Sequence, residues 1–137
     1  MTTTQDTEKD NAKAQAAAQL ASIVEMVGTL NREQEAGNDD AYIQAQEDIQ
    51  NDALSVEVRS GWTPCADVPF RAEEFMILLC TGGPAVRIVG DLDGHMAPDQ
   101  VRIEYQDWFT PWTPFACTTE AESAALLTYC QQFYFGE

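Results

Sequence analysis

Phe75-Met76-Ile77-Leu78-Leu79-Cys80, then Thr81-Gly82-Gly83-Pro84, then Ala85-Val86-Arg87-Ile88, is the stretch that decides how this chain folds. The first run is continuously apolar and short. It suits a central strand covered on both faces better than a helix. The Gly-Gly-Pro step interrupts it and turns the chain. Val86 and Ile88, with Arg87 between them, then begin an alternating strand. Together the runs predict two antiparallel strands joined by a tight turn.

The same alternation recurs on either side. Ser55-Val56-Glu57-Val58-Arg59-Ser60 reads as a half-buried strand that Gly61 ends. Val101, Ile103 and Tyr105, alternating with Arg102, Glu104 and Gln106, read as a fourth strand. Residues 62–71, with Pro64 and Pro69, and residues 91–99 are expected to be loops. Four consecutive strands with short connections predict an antiparallel meander.

Helical periodicity flanks the sheet. Leu20, Ile23, Val27 and Leu30 follow 3-4-3 spacing behind an Ala-rich lead from about Asp10. Ala36-Gly37-Asn38-Asp39-Asp40 is a turn, with Asn38 or Asp39 fit to cap a second helix. That helix sets Tyr42, Ala45 and Ile49 on one face, so residues 10–54 read as an antiparallel helical hairpin. Near the C-terminus, Thr119 and Glu122 have capping-box spacing. Ala121, Ala125 (or Ala124), Leu127 and Cys130 then supply an apolar side, continued by Phe133 and Phe135. The expectation is an α+β fold: an N-terminal helical hairpin, a four-stranded antiparallel β-meander, and a C-terminal helix packed on the sheet. Residues 1–9 are expected to be disordered, and 10–54 to form one compact domain with 55–137.

Charge is the strongest pointer to function. The 137 residues carry 23 Asp and Glu against 7 Lys and Arg, a formal net of −16. Solubility of a small domain needs only about 2–8 charges of either sign. The acids are dispersed, with a net of −8 in each of residues 1–54 and 55–137. A broad negative surface of this kind disfavours direct binding to nucleic acid and fits a basic protein partner. A purely solubilising role is the other reading of the same charge. No run of 18 apolar residues predicts a membrane span, and the N-terminus lacks the pattern of a secretory signal, so a cytoplasmic setting is expected.

Two sets of residues stand out as partner-binding candidates. Asp39, Asp40, Glu47, Asp48 and Asp52 cluster on the second helix, with Glu33 and Glu35 close by. Carboxylates up to about 10 Å apart can imitate the charge spacing of a nucleic-acid backbone. The plain alternative is a solvated helix face. The second set lies in Trp108-Phe109-Thr110-Pro111-Trp112-Thr113-Pro114-Phe115, where prolines stiffen a loop dense in aromatics. Phe109 and Trp112 are its anchor candidates, and Trp108 reads better as core filling.

Other signals are weaker. Cys65, Cys80, Cys117 and Cys130 include no C-x-x-C pair, and reduced thiols are expected. Asp91-Leu92-Asp93-Gly94 opens like a calcium loop, yet Arg102 stands where that loop needs Glu, so a plain hairpin is expected. His95 has no evident nucleophile and orienting group beside it. No cofactor and no catalytic residue are expected.

Arg59-Ser60-Gly61-Trp62, the stretch from Leu78 to Arg87, Glu104-Tyr105-Gln106-Asp107-Trp108 with Thr110-Pro111-Trp112-Thr113, and the ending Gln132-Phe133-Tyr134-Phe135-Gly136-Glu137 resemble small uncharacterised acidic proteins encoded by bacteriophages and prophages. The resemblance runs from about Val56 to the C-terminus. It implies the class of anti-defence proteins, such as anti-CRISPR proteins and DNA mimics, and carries over no functional residue. The expected function is a non-enzymatic inhibitor that binds a basic, nucleic-acid-binding surface of a bacterial defence complex in the host cytoplasm. The alternative is a self-associating accessory or structural phage protein, a homodimer joined through the first helix's apolar stripe.

Overall fold

Two backbone bonds end the first helix and fix where the second begins. The amide of Gly37 donates to the Gln34 carbonyl and that of Asn38 to the Glu33 carbonyl, both at 3.2 Å. This is a Schellman closure, and Gly37 supplies the positive φ of 71° that it requires. The Asn38 side chain then accepts from the Ala41 amide at 3.2 Å. The computed structural model describes residues 4–62, 72–81, 83–107, 110–117 and 119–135, with side chains from residue 11 onward. Within it, α1 is Thr4–Ala36, α2 is Asp39–Asp52 and α3 is Glu120–Cys130. Five strands lie between α2 and α3: β1 Ser55–Arg59, β2 Glu74–Cys80, β3 Ala85–Leu92, β4 Pro98–Gln106 and β5 Thr113–Phe115.

The fold is α+β, and the sheet is a simple antiparallel meander in the order β1-β2-β3-β4-β5. The register aligns Ile77, Ile88 and Ile103 across three strands, and all three are fully buried. Phe75, Leu79, Val86 and Tyr105 share that face and are also buried. The cover comes from α1 and α3, with α2 packed on α1. Ala12, Ala16, Leu20, Ile23, Val27 and Leu30 are the buried stripe of α1. A 33-residue helix is about 50 Å long, enough to run past α2 and α3 and across the sheet. The stripe on which self-association was to rest is therefore occupied within one chain.

The structure corrects several expectations. The sheet has five strands rather than four. The extra one, β5, pairs with the second half of β4, Ile103 opposite Phe115 and Tyr105 opposite Thr113. Thr110 makes this turn: its hydroxyl accepts from the Asp107 amide at 3.1 Å, and its carbonyl accepts from Gln106 Nε2 at 2.9 Å. Pro114 is tolerated because β5 is an edge strand. The loop expected over 91–99 shrinks to 93–97. Asp93 Oδ1 accepts from the amides of His95 (2.7 Å) and Ala97 (3.0 Å), which closes a plain hairpin. Helix α1 already runs from Thr4, within the segment expected to be disordered.

Burial departs from the patterns as well. The helices cover only one face of β2, where burial strictly alternates, rather than both. Strand β1 is an exposed edge instead of a half-buried strand, because the helical layer stops short of it. On α3 the buried residues are Ala125, Leu126, Tyr129 and Cys130, while Leu127 is half-buried and Ala121 exposed. The Thr119–Glu122 capping box forms as expected. Cys80, the last residue of β2, is half-buried.

Candidate interaction surface

The helical hairpin concentrates negative charge. Residues 14–54 contain eight acids and one base, Arg32, and the Arg32 guanidinium donates to Thr29 on its own helix. Glu25, Glu35, Asp39, Asp40, Glu47 and Asp48 are exposed. Asp39 and Asp40 fill the first turn of α2, where they also favour the helix dipole. Asp40 and Glu47 stand two turns apart on one side of α2, about 10 Å along the axis. Gln44 Nε2 donates to Asp48 Oδ1 at 2.9 Å and holds that carboxylate against its own helix.

Asp52 differs from the other four. It is half-buried, and its Oδ2 accepts a 2.7 Å hydrogen bond from the Tyr129 hydroxyl. It joins α2 to α3 instead of completing a solvated acidic face. Two further polar contacts tie α2 to the end of α3: Gln46 Nε2 to Gln132 Oε1 at 3.0 Å, and Gln50 Nε2 to the Gln132 carbonyl at 2.8 Å. Burial and the neighbouring Asp52 carboxylate both push the Tyr129 phenol well above its usual range. Burial alone does the same to the Cys130 thiol, and raises Cys80 less strongly.

Trp112, the second kind of candidate, has an intramolecular role. The Arg87 guanidinium lies 4.1 Å from the Trp112 ring centroid, a cation–π geometry. Arg87 also binds Glu104 at 2.9 Å, and Arg102 binds the other oxygen of the same carboxylate at 3.2 Å. Glu104 is nearly buried between the two arginines. Arg59 pairs with Glu74 at 2.6 Å. Among the described residues, Arg59, Arg87 and Arg102 thus occupy the open face of the sheet, the first matched to Glu74 and the other two sharing Glu104. A shallow hollow of about 300 Å³ lies there, lined by Arg59, Glu74, Met76, Arg87, Val89 and Asp91. The ion pairs neutralise most of its charge, so it adds little to the acidic surface.

Asp39, Asp40, Glu47 and Asp48 thus share one exposed helix. Asp52 sits half-buried at its C-terminal end, and Trp112 lies across the sheet from the helical layer. Phe109, Trp108 and Cys65 fall outside the described residues. His95 is exposed at the β3–β4 turn. Among the described residues no three His, Cys, Asp or Glu side chains converge on a point that would hold a metal ion, and no helix is long and apolar enough to cross a membrane. Sequence reading missed Glu104 and Tyr129. The alternation of β4 did assign Glu104 to the open face, where the arginines of β3 and β4 would need a carboxylate. Comparison with protein-family models, with curated proteins and with solved structures finds no match in any of the three.

Proposed function

We propose that this chain acts by binding rather than catalysis, as an inhibitor of a protein whose working surface is basic and handles nucleic acid. The observation that carries the reading is the exposed acidic helix α2. Asp39, Asp40, Glu47 and Asp48 stand on it, and residues 4–54 carry 11 acids against three bases, Lys9, Lys13 and Arg32. Exposed carboxylates on a rigid helix, with Asp40 and Glu47 two turns apart on one side, present charge with little ordering cost on binding. A chain of net −16 steers toward a basic partner and repels nucleic acid itself. The resemblance to phage and prophage proteins makes a bacterial defence complex the target class, in the manner of anti-CRISPR proteins and DNA mimics. The half-buried Asp52 belongs to the support of the hairpin, and Trp112, stacked on Arg87, is outside the docking face.

The test is affinity capture on the immobilised chain from a bacterial lysate with active CRISPR and restriction systems, eluted with rising salt. Release of a nucleic-acid-handling effector at moderate salt supports the reading. Capture that is indifferent to salt removes the electrostatic mechanism.

A further inference from the structure

Among the described residues, strand β1 is the end strand of the sheet and pairs only with β2. Edge strands are usually blunted by shortness, by charged side chains (lysine above all), by proline, by a bulge or by a covering element, and of these β1 has its five-residue length and the oppositely charged Glu57 and Arg59. Ser55-Val56-Glu57-Val58-Arg59 contains no Lys or Pro, and its register with β2 is unbroken. Nor does the helical layer reach it. Val56 and Val58 lie on the helix-bearing face, beside the buried Ile77 and Phe75, yet are 37% and 47% exposed. Leu54, just before the strand, is 60% exposed.

The charges on this edge are complementary to themselves. When two copies of β1 pair antiparallel around a two-fold axis, the residue at the axis meets its own copy. Centring on Glu57 sets two carboxylates face to face, which is unfavourable. Centring on Val58 sets Val58 against Val58, Glu57 against Arg59 in both directions, and Val56 against Ser60. We propose that β1 is a self-association edge, and that a second copy of this chain docks on it antiparallel in the register centred on Val58.

The paired sheets form one continuous sheet. A two-fold axis normal to it keeps both helical layers on the same side. The two acidic hairpins then face the same way, and the layer's failure to cover β1 leaves room for the copy. The net charge of −16 on each chain opposes the approach. Added salt screens that repulsion, so dimerisation strengthens as salt rises. The acidic surface has the opposite salt dependence toward a basic partner, so the two claims fail independently.

Sedimentation of the full chain across a dilution series at low and high salt tests the proposal. The expected result is a monomer–dimer equilibrium that shifts toward dimer at high salt. Val58→Lys sets two lysines against each other at the axis and leaves only monomer. Because Val58 is exposed in the single chain, the variant keeps its far-ultraviolet dichroism. Val58→Cys forms a disulfide with the same position of the second copy on oxidation, located by peptide mapping, whereas Glu57→Cys does not cross-link to itself. A monomer at every concentration and salt overturns the proposal. A dimer that persists in Val58→Lys, or that cross-links through position 57, overturns it as well.

Discussion

The Tyr129 hydroxyl donates a 2.7 Å hydrogen bond to Oδ2 of Asp52, fastening the end of the acidic helix to the C-terminal helix. Tyr129 is fully buried, so its phenol has no ready replacement partner in water. Tyr129→Phe is expected to cost about 1–2 kcal/mol, as for a hydrogen bond to a partly solvated charge. Urea unfolding measures it. Asp52→Asn keeps an acceptor and should cost less than Asp52→Ala. An unchanged midpoint in Tyr129→Phe would show that the bond contributes nothing.

Stability should fall on the alkaline side. Burial raises the folded-state pKa values of Cys130 and Tyr129. The folded chain therefore keeps protons that the unfolded chain releases above about pH 8.5 for cysteine and about pH 10 for tyrosine. Both contributions are fully present below those values and are lost as pH climbs toward the folded-state ones. Each group removes about 1.4 kcal/mol per pH unit within its window. Urea midpoints from about pH 7 to about pH 11 should stay flat at first and then drop, and Tyr129→Phe should drop less steeply above about pH 10. A flat profile across that whole range contradicts this.

Gly90 marks a close approach in the core. A Cβ there would run into the Gln100 carbonyl oxygen and the Phe75 ring. Phe75 is itself buried and packs on Phe135 with centroids 4.8 Å apart. Gly90→Ala is therefore expected to destabilise by about 1–3 kcal/mol through overpacking. Gly28 has nothing within reach of a Cβ and lies inside α1, so Gly28→Ala should stabilise by up to about 1 kcal/mol. Thermal unfolding of the two variants should move in opposite directions, and equal shifts would refute the assignment.

Much of this fold is legible in the chain. Alternation located three strands and an unbroken apolar run a fourth, 3-4-3 spacing located the buried stripe of α1, and cap chemistry marked Thr119 and narrowed the start of α2 to Asn38 or Asp39. What was missed has physical causes. β5 is three residues long and is held by Thr110 turn bonds and the edge of β4, neither of which leaves a periodic trace. Exposure of β1 depends on how far the helices extend, a tertiary property. Tyr129 and Leu126 are buried because α3 meets both α1 and β4, so its buried face is not the one that simple apolar counting selects. The acidic helix was readable as a surface. The separation of Asp52 from it needed a partner 77 positions away in sequence.

Glu104 holds the open face of the sheet together. Its carboxylate is nearly buried and accepts from both Arg87 and Arg102. Glu104→Gln leaves Arg87, itself largely enclosed, short of its counter-charge beneath Trp112. The expected loss is about 2–4 kcal/mol, between that of an exposed pair and that of a fully buried one. Trp112 emission should change in the same variant as the guanidinium shifts. Wild-type stability with unchanged emission would rule out this network as a support of the sheet.

The exposed carboxylates of α2 are proposed to bind a basic, nucleic-acid-handling protein. Replacing Asp39, Asp40 and Asp48 by Asn and Glu47 by Gln removes four of the 23 acids and leaves the Asp52–Tyr129 bond in place. The most direct measurement compares salt elution of captured lysate proteins from this variant and from the parent chain. The parent is expected to retain a nucleic-acid-handling effector to moderate salt, and the variant to release it earlier or fail to capture it. Equal retention of the same effector by both chains would show that these carboxylates do not form the binding face.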